Sequence, residues 1–490
     1  MWLIKELVSI DKRSRIPAYL QIAHAIVEAI HQGKLRKGLR LPGARRIAEE
    51  LKVNRLTVGA AFKELESQGW IEILPQKGAV VKLNLPLLAP RKLKAGTAAV
   101  ERMPATPAFT YDGKKSPPFH SPDFPSSDKL VLNAGFPDPR LAPMEALVST
   151  IRRLSRQTRH KKYLGYGDGQ GTPYLRETLT SFLNDTRGLS ITPANILITN
   201  GAQMGLYLAA SLLLQDKSEV IVGTPGYARA NRTFSTMGAR IHYVPVDEQG
   251  LDVSQIERLC QSRKIQMIYA IPHHHHPTSV TLAPERRIRL LELAAKHRFA
   301  IVEDDYDYEF HYLGNPMMPM ASLDRNGSVI YVGTLSKSLA PAIRVGFMVA
   351  PVPFIESATR LRKMIDTQGD SLVENAIAEL YRDGTIDRHI KKSVKLYKER
   401  RDHFCGLLSS KLGPLVSFLT PEGGMSVWTR FIDHSLPVVA QTAFARGLVL
   451  EDGTDYDIST KKYNSTALGF ASLNFAEQER AVGLLKKILE

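Results

Sequence analysis

Residues 328–337, SVIYVGTLSK, decide the reading of this chain. Ile330-Tyr331-Val332-Gly333-Thr334 reads as a strand, and Leu335-Ser336-Lys337 as a turn that presents a lysine. Arg344 follows seven residues on. A lysine at a strand end, flanked by the hydroxyls of Thr334 and Ser336 and by an arginine, suits an imine-forming amine beside a bound phosphate.

Working outward, Val302-Glu303-Asp304-Asp305-Tyr306 ends a second strand, and period-two alternation predicts Asp304 and Tyr306 on one face. A buried carboxylate there can hold a pyridine nitrogen protonated, and a phenol can bond a ring hydroxyl. The alternative is a set of acids capping a helix. Thr199-Asn200-Gly201-Ala202-Gln203 precedes a helical run at 202–214. Gly201 permits a tight turn, and the free N–H groups of a helix start bind anions. Tyr227, in Thr224-Pro225-Gly226-Tyr227, can lay an aromatic ring on a flat ligand. Strand-like runs at 196–199, 219–223, 239–246, 266–271, 299–305 and 328–334 alternate with helical ones such as 284–297. This alternation predicts an α/β domain with a mostly parallel sheet and ligands at the strand C-termini.

This ordered set resembles the fold-type I pyridoxal-phosphate enzymes of the aspartate aminotransferase group over roughly residues 130–490. The resemblance implies that Lys337 forms the Schiff base with pyridoxal 5'-phosphate, Asp304 pairs with the ring nitrogen, Tyr306 with the ring oxygen, and Tyr227 stacks. Ala202, Gln203, Thr334, Ser336 and Arg344 would bind the phosphate. Tyr166 is similar to a tyrosine that reaches the neighbouring subunit's phosphate, which implies a head-to-tail homodimer. His276 stands before Pro277 where aminotransferases have asparagine, within the run His273–His276. That run reads as a cofactor loop, and no metal is expected. Related transaminases carry an arginine just before a segment like Leu468-Gly469-Phe470-Ala471, where it forks onto a substrate carboxylate. Thr466-Ala467 stands there in this chain. Arg229 resembles an effector-carboxylate arginine; the alternative is a surface or phosphate-side arginine.

The N-terminal 82 residues read differently. Leu20, Ala23, Val27 and Ile30 fall at helical spacing before Gly33; Ala44, Ile47, Ala48 and Leu51 mark a second helix. Asn54 is a predicted N-cap for a third, with Val58, Ala61, Phe62 and Leu65 on one side. Residues 70–82 read as two strands around Gln76-Lys77-Gly78. Three helices and a hairpin make a winged helix-turn-helix. Its third helix would offer Arg55 and Thr57 to the major groove, with Arg45 nearby and Lys77 in the wing as a phosphate contact. The alternative for each basic residue is a solvated surface charge. The stretch from Pro17 to Val81 is similar to the GntR-type winged helix, with Gly43 where that family usually has serine.

Residues 83–128 hold eight of the 29 prolines and read as an extended linker. The organisation expected is thus 1–82 winged helix, 83–128 linker and 129–490 pyridoxal-phosphate domain. Net charge is +16 over 490 residues, with 65 Lys+Arg against 49 Asp+Glu. Residues 1–82 carry +7 of it and the last 362 residues another +7, so the charge is densest where DNA phosphates are the expected partner. Only Cys260 and Cys405 occur, which excludes a disulfide scaffold and a cysteine-based zinc site. No apolar run approaches the ~20 residues of a membrane span, and no secretory signal is read at the N-terminus. A cytoplasmic location without membrane attachment is expected.

A GntR-type winged helix joined through a linker to such a domain is the architecture of the MocR/GabR regulators, which the chain resembles over nearly its whole length. That resemblance implies a transcriptional regulator of operator DNA that uses pyridoxal phosphate to sense an amine, an amino acid or vitamin B6. The competing expectation is a working aminotransferase, against which Ala467 speaks.

Overall fold

The computed structural model describes residues 4–11, 14, 16–74, 78–85, 109–110, 129–156, 164–314, 317–458 and 461–490. The chain forms two compact units, residues 1–110 and 111–490. Lys77 and most of the proline-rich stretch, 86–108 and 111–128, lie outside the described residues.

The first unit contains helices α1 (Ala18–His31), α2 (Ala44–Leu51) and α3 (Arg55–Ser67), followed by an antiparallel pair, β1 (Ile71–Leu74) and β2 (Gly78–Val81). This is the winged helix-turn-helix expected. The buried side of α1 is Ile22, Ala23, Ile26, Ala29 and Ile30, while Leu20 and Val27 sit partly buried at its margin. The helix presents a wider apolar stripe than one four-residue pattern indicates. Val58, Ala61, Phe62 and Leu65 of α3 are all buried. Asn54 caps α3 as predicted: its side chain accepts the Leu56 backbone N–H at 2.8 Å.

The second unit is built on an eight-stranded sheet. Its strands are β3 (Ile196–Thr199), β4 (Glu219–Thr224), β5 (Arg240–Asp247), β6 (Gly250–Leu251), β7 (Ile265–Ala270), β8 (Ala300–Asp305), β9 (Val329–Thr334) and β10 (Gly346–Val349). They lie in the order β3-β10-β9-β8-β7-β4-β5-β6. The pairs from β9 through β8, β7 and β4 to β5 are parallel. Strand β10 runs antiparallel to both its neighbours, and β6 folds back on β5. These two strands were not among the six runs read from the sequence. GL is two residues, too short for a period to register, and GFMV opens on a glycine, which reads as a breaker rather than a strand start.

Strands β3, β4, β7 and β8 are buried along almost their whole length, which is why they read as continuous apolar runs. Helices α4 (Ala202–Leu213), α5 (Ala228–Thr236) and α6 (Pro284–His297) connect them. Because β3, β4, β7, β8 and β9 point the same way, their C-terminal ends gather at one edge. Thr199, Thr224, Asp305 and Thr334 end there, and the site is built on them.

We expect Asn54→Ala to remove about 1 kcal/mol from the first unit by stripping its cap. Hydrogen exchange on the full chain should show α3 amides losing protection about five-fold; unchanged protection would mean the cap contributes nothing.

Candidate functional site

Strand β8 carries three consecutive acids, and alternation gives each a separate task. Glu303 and Asp305 share one face, Asp304 the other. Glu303 accepts the backbone N–H groups of Met320 and Ala321, each at 2.9 Å. The helix-capping alternative therefore holds for this one acid. Asp305 accepts the Tyr331 hydroxyl at 2.5 Å, from the neighbouring strand β9. Asp304 accepts the Tyr269 hydroxyl at 2.6 Å through Oδ2, from β7 on the other side. Its Oδ1 is buried and has no hydrogen-bond partner among the described residues. Burial pushes the Asp304 carboxyl up to about 7; the Tyr269 bond and the Lys337 charge pull the other way. A buried carboxylate oxygen left open in this way is suited to accept from a protonated ring nitrogen.

Lys337 lies three residues past β9. Burial brings its ammonium down to about 8, against the opposing charges of Asp307 and Asp304; Arg229 and Arg344 lower it further. A substantial neutral fraction near pH 8 makes the amine a nucleophile. Gly135 lies against the amine: a Cβ there would stand in ordinary contact with Lys337 Nζ at 3.4 Å, and its φ of +70° is what favours glycine. Asp307 acts on Lys337 more strongly than Asp304 does, and it was not anticipated. It is buried and pairs with His274, Nδ1 to Oδ1 at 2.9 Å. His274 in turn stacks on His311 with ring centroids 5.7 Å apart.

The strand ends before Tyr306, so alternation does not carry to it. Its hydroxyl donates to the His274 carbonyl at 3.0 Å, and Asp304 and Tyr227 are close enough to raise its pKa beyond the effect of burial. Tyr227 stands at the N-cap of α5 and meets His276 edge-on at 5.4 Å. Burial, with His275 and Lys337 nearby, brings His276 down to about 3, so it is neutral at any physiological pH. None of the four consecutive histidines belongs to a metal-binding group among the described residues.

The anion cradle is a close-packed backbone. Gly201 has φ +78°, and a Cβ there would fall 2.7 Å from Arg344 Nη2; one on Gly346 would fall 2.9 Å from the Ala202 nitrogen. Arg344 donates to the Asn200 carbonyl at 2.8 Å, and Thr334 Oγ1 lies 3.0 Å from Ser336 Oγ. Gln203 gives its amide N–H to Thr233 at 2.9 Å and leaves Oε1 without a hydrogen-bond partner among the described residues. The start of α4, Arg344 and the two hydroxyls thus come together. Tyr166 does not join them: it stands 92% exposed. Ala467 is buried in β12 (Ser465–Gly469), which pairs with β11 (Ser426–Phe431).

In the first unit Arg45 and Arg55 are exposed and Thr57 is partly buried. Leu56, 80% exposed in the first turn of α3, is an apolar side chain that charge-based reasoning passed over. Tyr269, His274 and Asp307 were missed for a different reason: their roles arise from contacts between segments about 30 residues apart.

Two family models match the chain. "Bacterial regulatory proteins, gntR family" covers residues 18–81, and "Aminotransferase class I and II" covers residues 127–453. The uncharacterized HTH-type transcriptional regulator YdfD of Bacillus subtilis is 28% identical over 463 residues, spanning 94% of each chain. The probable rhizopine catabolism regulatory protein MocR of Rhizobium meliloti is 27% identical over 86% of this chain and 83% of its own. Among solved structures, the kynurenine aminotransferase of Pyrococcus horikoshii, in complex with PMP, matches with TM-score 0.69 and 29% identity, over 74% of this chain and 91% of its own.

The Asp304 carboxyl titrates near 7 in the fold against an ordinary 3.8. The native state holds the extra proton between these values, so ligand-free stability falls as pH rises through that window. Asp304→Asn removes the penalty. The ligand-free variant should melt above the wild type at pH 8, with the gap closing toward pH 4; an equal gap at both pH values would exonerate the carboxylate.

Proposed function

The chain belongs to the aminotransferase class I and II family, and on that premise we propose that it is a DNA-binding transcriptional regulator whose aminotransferase-like domain uses pyridoxal 5'-phosphate to sense an amine, an amino acid or vitamin B6. The observation that carries this is the joining of a gntR-family helix-turn-helix to a site that keeps both a lysine and an open buried carboxylate oxygen. The division proposed is 1–82 for DNA binding, 83–128 as linker and 129–490 for sensing.

The aminotransferase fold implies pyridoxal phosphate, and these residues fit it. When bound, the cofactor supplies an electron-withdrawing ring and an aldehyde that reacts with amines. Lys337 offers the amine, and its depressed pKa keeps part of it unprotonated. Asp304 Oδ1 would hold the ring nitrogen's proton, and its own high pKa would fall as that positive charge arrived. Tyr227 and His276 would flank the ring, with Tyr306 at its oxygen. Thr334, Ser336, Arg344 and the free N–H groups at Ala202 and Gln203 would hold the phosphate. Tyr166, so exposed in one chain, would complete the site of a second copy in a head-to-tail homodimer.

Arg55, Arg45 and Thr57 would contact DNA at the start of the recognition helix and Lys77 in the wing; Leu56 would pack on a thymine methyl. Two such heads on one dimer gain affinity through effective concentration. Among the described residues no helix is long and apolar enough to cross a membrane, and a cytoplasmic location follows from the proposed role. A second reading, a working aminotransferase, is favoured by the reactive state of Lys337. Ala467, where a carboxylate-binding arginine would stand, weighs against it.

Two measurements test the proposal. Pyridoxal phosphate should give an absorption band at the edge of the visible that is absent in Lys337→Ala. The full-length protein should bind its own upstream DNA in a salt-sensitive way that changes with pyridoxal phosphate, and Arg55→Ala should weaken binding about ten-fold. Steady turnover of amino-acid and keto-acid pairs without specific DNA binding would replace the regulator with the enzyme.

A further inference from the structure

Beside His276, a second wall of the site is made by aromatic rings that end in a carboxylate. Glu451 accepts the Tyr456 hydroxyl at 2.6 Å, and the same hydroxyl lies 3.4 Å from His276 Nε2. Trp428 meets the Tyr456 ring edge-on at 5.2 Å. Trp428 of β11 is the direct cross-strand partner of Ala467 in β12, so the two side chains project from the same face of that sheet. The indole therefore flanks the position where an arginine would reach for a carboxylate, and through Tyr456 it adjoins the Glu451 carboxylate.

The carboxylate is coupled to the rest of the site. Glu451 raises the pKa of Tyr227, and Arg229 acts on Glu451, Tyr227 and Lys337 alike. Burial holds the Glu451 carboxyl above its ordinary range, Asp455 and Asp452 add to this, and neither the Tyr456 bond nor Arg229 cancels it. Of its acidic neighbours, Asp455 is already paired with Arg232 at 2.5 Å. A carboxylate-tailed ligand brought against Glu451 would meet repulsion and lose its hydration. An ammonium or guanidinium would pair with the carboxylate and could rest on the faces of Trp428 and Tyr456.

We propose that Glu451 selects a dibasic amine as the ligand of this site, with one nitrogen at the Lys337 end, where a bound pyridoxal phosphate would supply the aldehyde that amines react with, and a second cationic group docking against Glu451 and the Trp428–Tyr456 ring pair. This rests on the reading of the site as an amine sensor, and it names the chemical class sensed: diamines and amino acids with a cationic side chain, rather than ω-carboxylate amines. Tyr456 is the positioning residue, since its hydroxyl fixes the carboxylate.

The test is calorimetry on the full-length protein saturated with pyridoxal phosphate. Titrants are 1,4-diaminobutane, 1,5-diaminopentane and L-lysine, against butan-1-amine and 4-aminobutanoate. The wild type should prefer at least one dibasic titrant over butan-1-amine by ten-fold or more, and 4-aminobutanoate should bind more weakly than either. In Glu451→Gln the preference should fall to near one, and in Tyr456→Phe to an intermediate value. A wild type that binds 4-aminobutanoate best, or a preference that survives Glu451→Gln unchanged, overturns the proposal. Absorbance recorded in the same samples separates the two levels of inference. Absence of a cofactor band in the wild type would defeat the pyridoxal-phosphate reading, while the heat-derived ratio would still decide whether Glu451 holds a second cation.

Discussion

Everything in the second unit turns on keeping a carboxylate and an amine unsatisfied inside the protein. Asp304 and Lys337 are both perturbed mainly by burial, in opposite senses, and each moderates the other. Left to itself, a desolvated charge neutralises or unfolds its surroundings. Here the strain is spread over a scaffold. Tyr269 occupies one oxygen of Asp304, Asp307 stands toward Lys337, and His274 holds Asp307 in place. The parallel strands bring these groups to one edge. The close approach of Gly346 to the Ala202 nitrogen and of Gly201 to Arg344 leaves the anion cradle without side-chain padding.

Most of the architecture was legible because it rests on periodicity and on local chemistry. Three amphipathic helices with an Asn54 cap and a hairpin are local objects. So is the alternation of apolar runs with helices, from which the parallel core of the sheet follows. What escaped was either short or non-local. Strand β10 opens on a glycine, and its direction is set by its place between β3 and β9. The His274–Asp307 pair and the Glu451–Tyr456–His276 contact each join different strand ends or loops. Within the acidic run of β8, sequence could say that one acid mattered, and alternation separated Asp304 from its neighbours. It could not say that Glu303 and Asp305 were already engaged.

The charge of the chain divides along the same lines. The +7 on residues 1–82 includes Arg45 and Arg55, which are exposed, and it is concentrated in a small unit. In the larger unit five arginines are buried among the described residues. Arg287 donates to three backbone carbonyls, Arg362 reaches the carbonyls of Gly169 and Ile198, and Arg400 pairs with Asp138. The same +7 on residues 1–82 and on residues 129–490 thus falls on a small domain in one case and is spread over a large one, with part of its arginine turned inward, in the other.

The three acids of β8 are near equals in chemistry, and they differ in address. Tyr331 and the 320–321 backbone wait on one face and Tyr269 on the other; Asp304 Oδ1 is left without a hydrogen-bond partner among the described residues, and on the opposite face so is Asp305 Oδ1. A slip of one residue between β8 and its neighbours would keep every acid in the strand and still hand the vacant position to a side chain pointing the wrong way. The site is therefore encoded as a register rather than as a composition. Insertions or deletions within β8 should be far less tolerated than their distance from Lys337 suggests, and change at the rim of this domain can proceed while the strand spacing stays fixed.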